Sequence, residues 1–445
     1  MAVTASGSSA LLDDLLTIRH AVQSADPWTH RGRVSGVNGL EVTVRGLPAR
    51  VGDAIHISCA DGIRIGEVIA ASGDSLSVAL YGEIGSIGVG DAARVGDGGR
   101  SAIVGPGLLG RVIDGMGDPL DGGPAITGMS VSLNNPVPSP LERRAVDRQL
   151  PVGVRTLDVL CPLGVGQRVG LFGGSGTGKS TLFGMMVRGT AAPVRVVALI
   201  GERGREVREL VQDEIGDSLD NTVVIAATSD QPALVRRRAA ELAMRIAEYF
   251  ADEGNDVLLV LDSLTRLAMA QREIGLAAGE PPTTRGYTPS VFALLPSFLE
   301  RAGPRRNGSV TGIFTMLVEG DDQNEPLADA VRAILDGHVV LDRRRVHAGI
   351  FPAIDPLASL SRLAPKLLTP EQVTCTTRLR AALAAFEEVR DLVEIGAYQR
   401  GTNLLADAAM DLRPQIDGFL QQTGEDSAPL EESWARAFEL SARLS

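Results

Sequence analysis

Between about residues 150 and 345, the apolar runs QRVGLF, VRVVALIGE, TVVIAAT, DVLLVLD, GSVTGIFTMLV and HVVLD alternate with stretches of helical periodicity. A strand that is apolar on both faces has to lie in a sheet covered on both sides, and the helices between successive strands supply those covers. The region therefore predicts an α/β domain built on a parallel sheet, the nucleotide-binding type of core. None of these runs approaches the roughly 20 uncharged apolar residues of a membrane span.

A chain of 445 residues is too long for one ordinary domain. From 31 to 96 the pattern is short alternating runs broken by glycine, RVSGV, LEVTV, AIHIS, IRIGEVIA and SLSVALYG, which predict a small closed β-barrel. The segment Gly105 to Gly123 reads as a connector into a nucleotide-binding domain spanning 97–365. After Pro365 the strand signal stops. Thr369, Pro370 and Glu371 then form a helix start, opening a helical domain over 366–445. Within residues 1–30, Leu11, Leu15, Ile18 and Val22 fall at helical spacing, giving an amphipathic helix that either packs on its own domain or docks a partner protein.

The opening residues carry acid where a secretory signal carries base, so a cytoplasmic address is expected. Cys59, Cys161 and Cys375 are too scattered for a disulfide framework or a metal site and read as structural thiols. A net charge of −12 argues against general nucleic-acid binding, and no nucleic-acid partner is expected. Of 43 basic residues only two, Lys179 and Lys366, are lysine, so a lysine at 179 is there for a reason that arginine does not meet.

That lysine closes GGSGTGKS, residues 173–180, which follows the strand QRVGLF and opens the helical TLFGMMVRG. Glycines at such a turn let successive backbone N–H groups face inward and wrap phosphate oxygens at a helix N-terminus. The loop Gly173, Gly174, Ser175, Gly176, Thr177, Gly178, Lys179, Ser180 and the adjoining Thr181 are therefore the candidate ATP-binding residues. Lys179 would reach the β and γ phosphates, and Ser180 would be a ligand of Mg²⁺. Asp262 ends the strand DVLLVLD, where a carboxylate would hold the magnesium or cap the next helix. Glu202 ends the strand after the loop, where it would polarise the attacking water or pair with Arg203 or Arg205.

These residues, with ALIGERGREVREL, LLVLDSLTRLAMAQREIGLAAGEPPTTRGYTPSVFALLP, VEGDDQNEPLADAVRAILDGHVVLDR and FPAIDPLASLSR, resemble the ATPases of type III protein export, flagellar above all, which are relatives of the catalytic subunit of rotary ATP synthases. The resemblance covers nearly the whole chain. It implies that Lys179, Glu202, Arg203, Asp262 and Arg362 are catalytic, with Glu202 the glutamate of the GER motif. Arg362 would be an arginine finger reaching into the next subunit's site, and Phe351 an aromatic ring against the adenine. Gly173, Thr177 and Phe351 depart from the alanine, valine and tyrosine that such proteins more often have, and none of the three removes a group the chemistry needs.

The resemblance further implies a homohexamer on the cytoplasmic side of an inner-membrane export apparatus, energising the unfolding or release of chaperone-bound substrates at the export gate. It implies a regulatory partner at the N-terminal helix and a stalk protein at the C-terminal helices. An injectisome ATPase and a rotary synthase subunit are the alternatives. RDLVEIGAYQRG at 390–401, where synthase subunits have an acidic lever, is similar to export ATPases. A barrel segment poor in aromatics disfavours a ring-shaped RNA translocase.

Overall fold

The alternating runs at the start of the chain close on themselves. In the computed structural model, which describes all residues except 1–29, 40, 98, 319–324 and 445, strands β1 (Gly32–Asn38), β2 (Glu41–Arg45), β3 (Ala54–Cys59), β4 (Gly62–Ser72), β5 (Ser75–Leu80) and β6 (Ala92–Gly96) form an antiparallel barrel. Their order around it is β1-β2-β5-β4-β3-β6. Period-two alternation buries Val42 and Val44 while Glu41 and Thr43 stay half-exposed, and β5 repeats this with Leu76, Val78 and Leu80 inside. The last strand, AARVG, buries only Ala93, which is why its alternation carries no sequence signal. The helix expected over 11–22 lies outside the described residues. The barrel belongs to one compact unit, residues 1–99, and the remainder of the chain to a second, 100–445.

In the second unit β7 (Ser101–Val104) pairs with β9 (Met129–Ser132) as a ribbon. The central sheet comprises β8 (Val112–Asp114), β10 (Arg168–Gly173), β11 (Val194–Glu202), β12 (Thr222–Thr228), β13 (Asp256–Asp262), β14 (Gly303–Pro304), β15 (Ser309–Leu317), β16 (Gly337–Leu341) and β17 (Ile354–Ser361). Their order is β17-β16-β10-β15-β13-β11-β12-β8, with β14 on β15. Strands β16 through β8 run parallel, as the apolar runs predict. Two features differ from the sequence reading. The supposed connector supplies an edge strand, β8, aligned through Val112 and Val224. The other edge, β17, is antiparallel to β16 and so returns the chain toward the N-terminal ends of the parallel strands.

Every second residue of β13, Leu258 and Val260, joins Leu182, Phe183 and Met186 of helix Lys179–Gly189 in one buried cluster. The alternate residues Val257, Leu259 and Leu261 are equally buried on the other face, as both-sided covering requires. The C-terminal helices begin as expected. Thr369 accepts from the Gln372 N–H at 3.3 Å while the Gln372 side chain accepts from the Thr369 N–H at 2.9 Å, a capping box at the start of helix Pro370–Glu394. That helix and helix Leu430–Ala442 bury Leu379, Phe419 and Trp434 together with Val159 and Leu160 of the preceding region. All three cysteines are free thiols, and burial pushes Cys161 up to about 12.

Candidate active site

The parallel strands end in a common edge, and the phosphate loop leaves it at Gly173. Gly176 and Gly178 have φ of 76° and 80°, a region in which a side chain is strained. Gly173 needs its missing side chain for space: a Cβ there would stand 3.0 Å from both the Leu341 Cβ and the Thr177 Oγ1. Thr177, 1% exposed, uses that room to donate to the Gly174 carbonyl at 3.0 Å, so the two departures at 173 and 177 fit each other. Lys179 lies along the inside of the loop and donates to the Gly174 carbonyl at 2.8 Å. It is half-buried rather than solvent-facing. Ser175 and Gly176 form the exposed crest of the loop.

Around Lys179 the ends of β11 and β13 bring three carboxylates together. Asp262, 6% exposed, accepts from the Thr315 hydroxyl at 2.6 Å. It does not cap the following helix; Ser263 does, accepting from the Arg266 N–H at 3.2 Å. Burial pushes the Glu202 carboxyl up to about 8, helped by the charge of Asp262 and a hydrogen bond to Glu206, with Arg266 opposing. Burial likewise raises Asp262, against the pull of Thr315 and Lys179. The Lys179 ammonium is lowered by burial and held up by Asp262, Glu202 and Glu206. A group of three carboxylates, Asp262 buried and Glu202 and Glu206 half-buried, facing Lys179 and Arg266 is short of positive charge. Its oxygen donors, with the Ser180 hydroxyl that is exposed and makes no protein hydrogen bond among the described residues, are hard ligands of the kind a small divalent cation takes. A carboxyl raised to about 8 is, once ionised, a stronger proton acceptor than an ordinary carboxylate.

On the other side of the loop a cleft of about 470 Å³ opens between Gly178, Thr181, Met185, Phe351 and the segment Gln421–Gly424. The Phe351 ring, 44% exposed, faces Gly178 at 3.7 Å from where its Cβ would be. Thr181 borders the cleft and donates its hydroxyl to Glu214 at 3.0 Å. Gln422 ties the far wall down: its N–H donates to the Phe351 carbonyl at 2.9 Å, its side chain accepts from the Arg155 N–H at 2.7 Å and donates to the Gly153 carbonyl at 3.0 Å.

Two expected residues stand apart. Arg203 is at the rim, its side chain 78% exposed and 4.0 Å from Glu206. Arg362 follows β17, exposed and without an ion pair among the described residues. Its N–H donates to the Asp336 carbonyl at 3.0 Å, and the Asp336 N–H donates to the Arg168 carbonyl at 2.9 Å. Arg362 is thus beside the first residue of β10, whereas the loop leaves from the last, Gly173, roughly 17 Å away at the usual strand rise.

The family profile for the nucleotide-binding domain of the ATP synthase alpha/beta family matches residues 153–361, and that for the T3SS EscN ATPase C-terminal domain matches 368–437. The chain is 45% identical over 419 residues to the flagellum-specific ATP synthase of Bacillus subtilis (strain 168), covering 93% of this chain and 96% of that protein. It is also 45% identical over 408 residues to the type 3 secretion system ATPase of Xanthomonas euvesicatoria, covering 90% and 92%. The chain belongs to the flagellar and type III secretion ATPase family. The solved structure of the assembled ATPase EscN in complex with its central stalk EscO, from the enteropathogenic E. coli type III secretion system, matches with a TM-score of 0.86 at 39% identity over 92% of this chain and 100% of that one.

Within this family fold, the sequence reading missed residues of two kinds. Glu206, Arg266 and Thr315 left signals that were passed over: an acid four residues after Glu202 at a helix start, an arginine just past the strand ending in Asp262, and a hydroxyl near the C-terminal end of a buried strand. Gln421–Gly424 left none, because a loop between two helices has no periodicity to read.

Proposed function

We propose that the protein hydrolyses Mg·ATP at this site to energise protein export through a flagellar or type III secretion apparatus, and that each site is completed by Arg362 of the next subunit in a homohexameric ring. The observation that carries the shared site is the position of Arg362: its backbone is tied through Asp336 to the first residue of β10 and its guanidinium donates to the Arg332 carbonyl, so it does not reach a phosphate bound at the far end of that strand. Head-to-tail packing around a ring puts that face of one subunit against a different face of its neighbour. There it stabilises charge developing on the transferred phosphoryl group.

Within one subunit the loop N–H groups and Lys179 hold the phosphates, and the cleft beside Phe351 takes the base. Ser180 and Asp262 would hold the magnesium ion, whose charge neutralises phosphate oxygens. Glu202 accepts the proton of the attacking water, with burial, Asp262 and Glu206 raising its proton affinity against Arg266, and Arg203 adding a cation at the rim.

The stalk partner is assigned to the tip of the C-terminal helices, where Leu392, Ile395 and Leu404 are 46%, 75% and 78% exposed, more apolar surface than an unpartnered turn needs. No helix among the described residues is long and apolar enough to cross a membrane. Peripheral association with an inner-membrane export gate, and handling of chaperone-bound substrates there, are accordingly assigned to protein contacts, with a regulatory partner at residues 1–30. An injectisome remains a second reading, since the type 3 secretion ATPase of Xanthomonas euvesicatoria is as similar as the flagellar protein of Bacillus subtilis. Chromosomal Lys179→Ala tests the reading: both turnover of the purified protein and secretion of flagellar or injectisome subunits into the medium should disappear. Secretion that persists at normal levels alongside dead ATPase would refute the coupling, and undiminished ATPase would refute the site.

A further inference from the structure

Directly before β10, Gln167 is fully buried. Its side-chain amide has two ends with different partners. The Oε1 accepts from the Gly164 N–H at 2.7 Å, which closes the turn leading into the strand. The Nε2 reaches away from that turn, donating to the Asp336 carbonyl and to the Ser361 hydroxyl, each at 3.2 Å. Both acceptors flank Arg362. Ser361 is the residue before it, and the Asp336 carbonyl is the group that also accepts from the Arg362 backbone N–H at 3.0 Å. The packing here leaves little slack: at Gly337 a Cβ would stand 2.6 Å from the Leu360 carbonyl and 3.3 Å from the Gln167 Nε2. Among the described residues the Arg362 side chain is held by one hydrogen bond, to the Arg332 carbonyl at 3.4 Å, so the direction it takes from the subunit surface is set largely by its backbone.

We propose that Gln167 is a positioning residue for Arg362, and that through it Gln167 acts on the neighbouring subunit's site instead of on the phosphate loop to which its own strand leads. The inference rests on the shared-site reading above. A loss of the Nε2 contacts leaves the phosphate loop untouched at the other end of β10 but frees the Ser361–Arg362 backbone to shift. A finger displaced by about 1 Å costs up to about 10²-fold in rate.

The test is a complementation in mixed rings of full-length protein. Gln167→Met keeps the buried volume and removes both polar ends. Homogeneous Gln167→Met rings are expected to lose about 10- to 100-fold in kcat. Their KM for ATP should stay within about threefold, since no base or phosphate contact is lost. Co-assembled with Lys179→Ala, which has a defective loop and an intact finger, Gln167→Met should regain turnover. Co-assembled with Arg362→Ala it should not, because neither subunit then offers a placed finger.

Rescue by Arg362→Ala and not by Lys179→Ala would mean that Gln167 serves its own loop, and rescue by neither would mean a general structural role; each overturns the proposal. If Gln167→Met gives no cooperative melt, Ser361→Ala, which removes only the contact next to the finger, takes its place. A loss of about 2- to 10-fold with the same rescue pattern is expected for it. An unchanged kcat, or rescue by Arg362→Ala, overturns the proposal. The control mixture of Arg362→Ala with Lys179→Ala separates the two layers: failure of that rescue refutes the shared site itself and the present inference with it.

Discussion

Replacing Glu202 by Gln removes a proton acceptor and, at the same time, one of three mutually repelling carboxylates. The wild-type carboxyl is raised from its ordinary 4.5 to about 8 by burial, by Asp262 and by Glu206. A group whose folded-state pKa lies above its unfolded one stabilises the fold least where it is charged. Without nucleotide, wild-type stability should therefore fall as pH rises from about 4.5 to about 8 and level off above that.

The full shift, at 1.36 kcal/mol per unit, overstates the penalty because the site is open to water on one side and the three acids share it. After that screening roughly 1–2 kcal/mol remains. Glu202→Gln escapes the penalty. Its melting temperature should match wild type below about pH 4.5 and exceed it at pH 8.5, while turnover falls by about 10²- to 10⁴-fold with Mg·ATP binding retained. Differential scanning calorimetry of the nucleotide-free proteins at both pH values, beside single-turnover hydrolysis and equilibrium binding of a fluorescent ATP analogue, reads all three quantities. A variant less stable than wild type at pH 8.5, or one that no longer binds nucleotide, would show Glu202 to be a supporting residue and not the base.

Phe351→Ala should raise KM for ATP about 3- to 10-fold by losing the stacking face, while Phe351→Tyr should leave it near wild type; equal effects from both would remove the ring from the base site. Thr315→Val keeps the shape beside Asp262 but not the hydrogen bond at 2.6 Å. Its half-saturating Mg²⁺ concentration should rise about 10-fold with the maximal rate largely kept, and an unchanged Mg²⁺ titration would deny that Asp262 holds the ion. Deleting residues 1–25 should spare hydrolysis and weaken regulation in co-purification with the partner; equal partner recovery with and without them would end the docking role of that segment.

The parts of this protein legible in its sequence are those where local chemistry and fold agree. Strands β10 to β13 announce themselves because burial on both faces makes their middles near-continuous apolar runs, and GGSGTGKS because a phosphate cradle needs backbone conformations that glycine alone adopts without strain. Asp262 could be placed from its strand end, yet its neighbour Thr315 comes from 53 positions further along the chain and meets it only through the pairing of β13 with β15. The base cleft shows the same limit, since Gln422 reaches Gly153 across 269 positions. The antiparallel run of β17 mattered most for function and was the hardest to foresee. IDPLASLS is half-buried, broken by Pro356, and gives no direction, while its direction alone decides that Arg362 faces away from its own phosphate loop.

Specific ATPase activity measured against protein concentration, from a range where sedimentation shows only monomers to one where rings saturate, tests the shared site most directly. Wild-type activity per subunit should climb faster than linearly and then level off as rings fill. Arg362→Ala should stay low throughout, by about 10³-fold or more at the plateau. Full specific activity in verified monomers, equal in wild type and Arg362→Ala, would contradict a site completed by the neighbouring subunit.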